Sequence, residues 1–303
     1  MSTRIPVTVI GGYLGAGKTT LINHLLRHAG GRRLAVLVND FGALPIDADL
    51  IEAQEGSTIS ISGGCVCCSF GSDLVAALRG IVALDPPPGH LLIEASGVAL
   101  PAAISATASL VRGLANEGIV VLADAETVRE RAGDRYLGDT IERQLRDAGL
   151  ILLSKPDLAN ADALAATRAW LEQFAPVIDS PRGQVPLEVA LGPALGRSRP
   201  VIASPPAHPA YETVEYGDLP ALDLERLCTV LTDPAAGVLR AKGIVRDPSG
   251  AMQAVQTVGR RAEIYSATAG GPGRLVCIGI AGRLDRSAIE RAIAPRQFRC
   301  GSA

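Results

Sequence analysis

The stretch Gly12-Tyr13-Leu14-Gly15-Ala16-Gly17-Lys18-Thr19 constrains this chain more than any other. It fits the P-loop template of Gly, four residues, then Gly-Lys-Thr. An apolar run at residues 5–10 precedes it, and Thr20-Leu21-Ile22-Asn23-His24-Leu25-Leu26 follows with a helical pattern. The context is therefore strand, glycine loop, helix. In such a loop the backbone N–H groups turn inward as an anion nest, and the start of the helix adds positive potential. Lys18 would reach the β- and γ-phosphates and Thr19 would ligate Mg²⁺. Gly12, Gly15, Ala16, Gly17 and Thr20 complete the expected phosphate site.

Further apolar segments at residues 34–38, 91–93, 118–122 and 150–153 read as buried parallel strands. Helical patterns lie between them, for example at 74–84 and 140–148. Strands alternating with helices predict an α/β fold, a doubly wound and mostly parallel sheet of the P-loop NTPase kind. Ligands of such sheets bind beyond the C-terminal strand ends, where the motifs fall. From Pro176 to Pro220 prolines recur, and this stretch reads as a connector with one short helix near Pro186–Leu191. Beyond it, a helix at 224–232, strands at 237–247, 252–258 and 275–280, and a helix at 286–294 predict a smaller α+β domain. The expected division is 1–192 for the nucleotide domain, 193–215 for the linker and 216–303 for the C-terminal domain.

Two more motifs would complete a nucleotide switch. Leu91-Leu92-Ile93-Glu94-Ala95-Ser96-Gly97 is an apolar strand ending in an acid, with a glycine three residues on. Glu94 at that strand end can hold Mg²⁺ or position the attacking water, and the Gly97 N–H can approach the γ-phosphate. Leu152-Leu153-Ser154-Lys155-Pro156-Asp157 ends a strand in Ser-Lys-x-Asp, where GTPases use Asn-Lys-x-Asp. The Asp157 carboxylate would accept two hydrogen bonds from guanine N1 and N2, and the Lys155 stem would pack on the ring. Adenine lacks that donor pair. Ser154 in place of Asn loosens the bracing of the loop. Asn39-Asp40-Phe41-Gly42 follows the second strand, where a switch I loop would lie, and Asp40 is a candidate ligand for Mg²⁺ or a second metal.

The other strong signal is Ser62-Gly63-Gly64-Cys65-Val66-Cys67-Cys68-Ser69, with three thiols inside four residues. Cys65, Cys67 and Cys68 can converge on one soft cation, and Zn²⁺ takes thiolates in a tetrahedron. Three local ligands leave a fourth position open, which suits transfer better than structural closure. A Cys-x-x-Cys redox pair is the competing reading, but Cys67 would then be surplus. Cys228 and Cys277 lie on apolar faces and Cys300 in a tail. His24 and His28, spaced i, i+4, read as a solvated face.

The formal net charge of −2 offers no basic field for nucleic acid. No apolar run is long enough to span a bilayer, and no signal-peptide pattern precedes the first strand, so a cytoplasmic protein is expected. In that compartment six cysteines point to metal or thiol chemistry before disulfides.

Gly-Gly-Tyr-Leu-Gly-Ala-Gly-Lys-Thr-Thr, Asn-Asp-Phe-Gly, Gly-Gly-Cys-Val-Cys-Cys, Glu-Ala-Ser-Gly and Ser-Lys-Pro-Asp together resemble the CobW-like metallochaperone GTPases, relatives of UreG and HypB. Leu239-Arg240-Ala241-Lys242-Gly243 resembles the opening of that family's C-terminal domain. The resemblance implies slow GTP hydrolysis, a Zn²⁺- or Co²⁺-binding Cys-x-Cys-Cys site, and delivery of metal to a client metalloprotein or metal-cofactor pathway. A homodimer is compatible with it. The chain departs from the pattern at Asp40, where the family usually has Glu, and at Ser154, and it lacks the His-rich stretch of many members. An ATP-using small-molecule kinase with a structural metal, or a non-catalytic metal or redox adaptor, is the alternative.

Overall fold

The computed structural model describes residues 4–39, 58–63, 72–193, 211–267 and 271–294. The chain divides into two compact units, Met1–Leu191 and Gly192–Ala303.

The first unit is a parallel sheet in the order β3-β2-β4-β1-β5-β6-β7. Its strands are β1 (Ile5–Gly11), β2 (Leu34–Asn39), β3 (Thr58–Gly63), β4 (His90–Glu94), β5 (Leu114–Asp124), β6 (Leu150–Ser154) and β7 (Val177–Ser180). The helices are α1 (Lys18–Arg27), α2 (Ser72–Val82), α3 (Pro101–Ser109), α4 (Val128–Ala132), α5 (Gly138–Asp147), α6 (Ala161–Leu171) and α7 (Leu187–Leu191). The central strands are continuous apolar runs because helices cover both faces of the sheet. All five residues of β4 and of β6 are buried. Pro6 is tolerated inside the central β1 beside an irregularity, since the register to β5 shifts between Val7 and Thr8. The topology brings the C-terminal ends of β1, β4, β5 and β6 to one edge. Ile10 lies opposite Glu94, and Asp124 opposite Ser154.

The second unit is an antiparallel sheet in the order β11-β10-β9-β12-β8. It is built from β8 (Tyr211–Leu219), β9 (Val238–Arg246), β10 (Met252–Val258), β11 (Arg261–Ser266) and β12 (Gly273–Ile280). Helices α8 (Leu224–Thr232) and α9 (Arg286–Ile293) share its core, where Leu227, Leu231 and Ile289 gather with Val245, Val255, Leu275 and Cys277. Asp223 and Asp285 cap the two helices by accepting from the Arg226 and Ala288 N–H groups.

The expected interior strands are present in both sheets. The connector expected over Pro176–Pro220 is corrected, because it contains two strands, β7 and β8, as well as the short helix α7. β8 starts at Tyr211, inside the stretch expected as linker. Also beyond the expectation are β3 and β11. These four strands are the four sheet edges. Among the described residues no helix is long and apolar enough to cross a membrane.

Candidate functional site

The P-loop leaves β1 through Gly12, whose φ is +130°, and a Cβ there would fall 2.5 Å from the Leu122 carbonyl oxygen on β5. Only glycine allows the loop to turn so close to the neighbouring strand. Gly17, with φ +95°, starts α1, and no side chain caps that helix start. Its first turn holds no acidic residue. The leading N–H groups of α1 are thus left to an external anion, and nothing would meet a Cβ within 4 Å at Gly15. The loop residues fit a phosphate chain.

Lys18 is buried and folds back over the loop. Its Nζ donates to the Gly12 carbonyl at 3.0 Å and to the Tyr13 carbonyl at 3.4 Å. A buried ammonium needs such acceptors, and the loop's own carbonyls supply them. One residue on, Thr19 Oγ1 donates to Glu94 Oε1 at 3.2 Å. The hydroxyl and the strand-end acid therefore meet across 75 residues of sequence. Glu94 is 2% exposed. A half-buried hydroxyl against a buried carboxylate, beside an anion cradle, is a hard-oxygen donor set that fits Mg²⁺. Gly97 is also buried and lies against the crest of the loop, where a Cβ would fall 2.8 Å from the Leu14 backbone nitrogen.

The end of the sheet at β5 and β6, where a base reader is expected, is built differently. Ser154 is buried, and its Oγ donates to the Ala123 carbonyl at 3.3 Å, while its own carbonyl accepts from the Ala125 N–H at 3.0 Å. It braces the ends of β5 and β6. Lys155 adopts a left-handed backbone, φ +53°. Its Nζ donates to Asp124 Oδ2 at 2.7 Å. Asp124 is held in turn by the Glu126 N–H on Oδ1 at 3.0 Å. Asp157 is exposed in the turn closed by the Leu158 N–H on the Lys155 carbonyl, and it has no partner among the described residues.

Residues 6–179 match the family described as "CobW/HypB/UreG, nucleotide-binding domain". Residues 211–295 match the "Cobalamin synthesis protein cobW C-terminal domain". The chain belongs to the CobW/HypB/UreG family of P-loop GTPases. The zinc chaperone CobW of Sinorhizobium sp is 30% identical, over 96% of each chain. The zinc chaperone CobW of Pseudomonas aeruginosa is 31% identical, over 85% of this chain and 81% of the relative. A crystal structure of a Zn(II)-bound triple mutant of the YjiA GTPase covers 96% of this chain and 98% of its own, at 23% identity and a TM-score of 0.44.

In this CobW-family chain, Gly12, Gly15, Ala16, Gly17, Lys18, Thr19, Thr20, Glu94 and Gly97 lie at one end of the sheet, and Ser154, Lys155 and Asp157 at the end of β6. Cys65, Cys67, Cys68 and Asp40 lie outside the described residues. Among the described residues no group of three or more His, Cys, Asp or Glu is placed to hold a metal. Cys277 is buried, and burial pushes its thiol up to about 12. Burial raises Cys228 as well. Neither supplies a thiolate near neutral pH. His24 is not fully solvated, because its Nε2 contacts the Val185 carbonyl at 3.1 Å.

Three residues of this end went unnoticed in the sequence. Asp124 carried a usable signal, an acid closing an apolar strand as Glu94 does. Gln144 interrupts the apolar stripe of α5. Arg131, whose Nη1 donates to the Leu14 carbonyl at 2.9 Å, had no local signal.

Proposed function

We propose that this chain hydrolyses GTP with Mg²⁺ and couples the cycle to Zn²⁺ (or Co²⁺) held by Cys65, Cys67 and Cys68, which it hands to a client metalloprotein or metal-cofactor pathway. The observation that carries the hydrolase half is the meeting of Thr19 and Glu94 beside an uncapped helix start. Thr19 and Glu94 would hold Mg²⁺, which when bound neutralises charge on the transferring phosphoryl group. Lys18 would exchange its loop carbonyls for the β- and γ-phosphate oxygens. Glu94 would orient the attacking water, and the Gly97 N–H would face the γ-phosphate. Lys155 and Asp157 would read guanine, with the Lys155 stem steadied by Asp124.

The metal half is supported by the cysteine triplet and by relatives named zinc chaperones. Residues 39–49, leading toward the triplet, would order around the γ-phosphate and alter the thiolate site. A cytoplasmic setting, which keeps thiols reduced, suits this reading. Turnover of GTP and ATP by the full chain, measured beside the zinc content of wild type and Cys67→Ser, tests both halves. Preferred turnover of GTP and a loss of zinc in the variant are expected. A preference for ATP would point to a small-molecule kinase, and zinc unaffected by Cys67→Ser would remove the thiolate site.

A further inference from the structure

Helix α5 carries an amide where its buried stripe should be apolar. Ile141, Gln144 and Leu145 face inward at i, i+3, i+4, and Gln144 is 1% exposed. Its Nε2 donates to the Gly97 carbonyl at 3.0 Å and to the Ala99 carbonyl at 2.8 Å. Only the NH₂ end of the amide can serve two carbonyls, so these partners fix its orientation. Three residues on, Asp147 Oδ2 accepts from the Ala102 N–H at 3.1 Å. That N–H belongs to the first turn of α3, which its own N-cap residue Leu100 leaves without a side-chain cap. Helix α5 thus grips residues 97–102 at both ends.

The gripped segment borders the phosphate loop. The Ser96 carbonyl accepts from the Ala99 N–H at 3.0 Å. In a trans peptide C=O and N–H point opposite ways, so the Gly97 N–H points away from that turn. Gln144 holds the next peptide plane through the Gly97 carbonyl. With both planes beside Gly97 fixed, so is the direction of its N–H. Across from it Leu14 is held as well, because Arg131 on α4 donates to the Leu14 carbonyl and sits 5.4 Å from the Tyr13 ring centroid. The packed helices α4 and α5 therefore fix both sides of the contact between Gly97 and the P-loop crest.

We propose that Gln144 is a positioning residue for phosphoryl transfer, aiming the Gly97 N–H at the γ-phosphate site while Arg131 sets the facing loop crest. This rests on the hydrolase reading above. Gln144 acts through Gly97 and touches no substrate.

The test uses full-length wild type, Lys18→Ala, Gln144→Leu and Gln144→Glu with Mg²⁺ and GTP. It measures kcat and KM separately, affinity for a fluorescent GDP analogue, and the thermal midpoint. Gln144→Leu lowers kcat about 10- to 100-fold by misaiming one donor. KM stays within about twofold because the aimed donor acts on the transition state, and GDP affinity does so because GDP carries no γ-phosphate to meet Gly97. Gln144→Glu keeps the shape if the leucine variant folds poorly. Its carboxylate opposes two carbonyl oxygens, whereas its neutral acid donates one hydrogen bond. Its kcat relative to wild type therefore rises as pH falls from about 8 to about 6. Wild-type kcat in Gln144→Leu, a parallel fall of GDP affinity and kcat, or a flat ratio for Gln144→Glu each overturn the positioning role alone. Wild-type turnover no higher than that of Lys18→Ala removes the hydrolase reading and this inference with it.

Discussion

In the proposed GTPase reading, the phosphate end and the base end of the first unit hold one substrate in opposite ways. At the phosphate end the groups are assembled in advance. Lys18 rests on two loop carbonyls, Thr19 meets Glu94, and α1 begins uncapped. At the other end Asp157 stands exposed and partnerless among the described residues, while Ser154 and Lys155 are tied down, to the Ala123 carbonyl and to Asp124. Charge is handled by buried, fixed dipoles, which are worth far more away from water. In that reading base identity would rest on one solvated carboxylate, where a charge-assisted pair contributes less. The difference implies that turnover depends on the first end and selectivity on the second.

Substitutions should separate the two ends. Lys18→Ala is expected to lower kcat about a thousandfold, more than any change at the base end, as read by phosphate release. A residual rate within about tenfold of wild type would place the phosphate contact elsewhere. Asp157→Ala is expected to reduce the ratio of GTP to ATP affinity about 10- to 100-fold, with kcat nearly kept. Equal loss of both nucleotides would make Asp157 a structural turn residue. Asp124→Asn should weaken GTP binding only about two- to fivefold, since the pair it breaks is a partly exposed one worth about 1 kcal/mol. The Lys155 side chain in that pair is 39% exposed.

The second unit offers a contrast in thiols. The thiol of Cys277 is pushed up to about 12 from its ordinary 9.0 by burial. Below pH 9 the thiol is protonated in both folded and unfolded chains, so it adds no pH dependence. Above that the unfolded thiol ionises first and favours unfolding. Stability therefore falls between about pH 9 and about pH 12, by up to about 1.4 kcal/mol per unit from this group. Denaturant midpoints of wild type and Cys277→Ala should differ in slope over that window, and parallel slopes would show Cys277 to be accessible. Thiol reagents at neutral pH should spare Cys277 in the native chain.

Interior strands and the glycine loop were legible because each is written locally. The apolar runs 91–93 and 150–153 form the interiors of β4 and β6, and the P-loop carries its glycines, Lys18 and Thr19 within eight residues. The edge strands β3, β7, β8 and β11 were not legible. An edge strand is shorter or more polar than a central one, and β7 has four residues between Pro176 and Pro181. In β8 the residues Glu212, Glu215 and Asp218 break any apolar run, so the prolines nearby dominated. The unforeseen contacts of Gln144 and Arg131 have another cause. Their partners Gly97 and Leu14 lie 47 and 117 residues away, a distance that no motif spans.

In the proposed cycle, nucleotide state and metal occupancy are linked. Linkage requires the same factor in both directions. The most direct measurement is the Zn²⁺ affinity of the full chain by competition with a chromophoric chelator, with GDP and with a non-hydrolysable GTP analogue. The expected affinities differ at least about fivefold between the two states, matched by an equal Zn²⁺ effect on analogue binding and lost in Cys67→Ser. Identical Zn²⁺ affinity in both nucleotide states would contradict it.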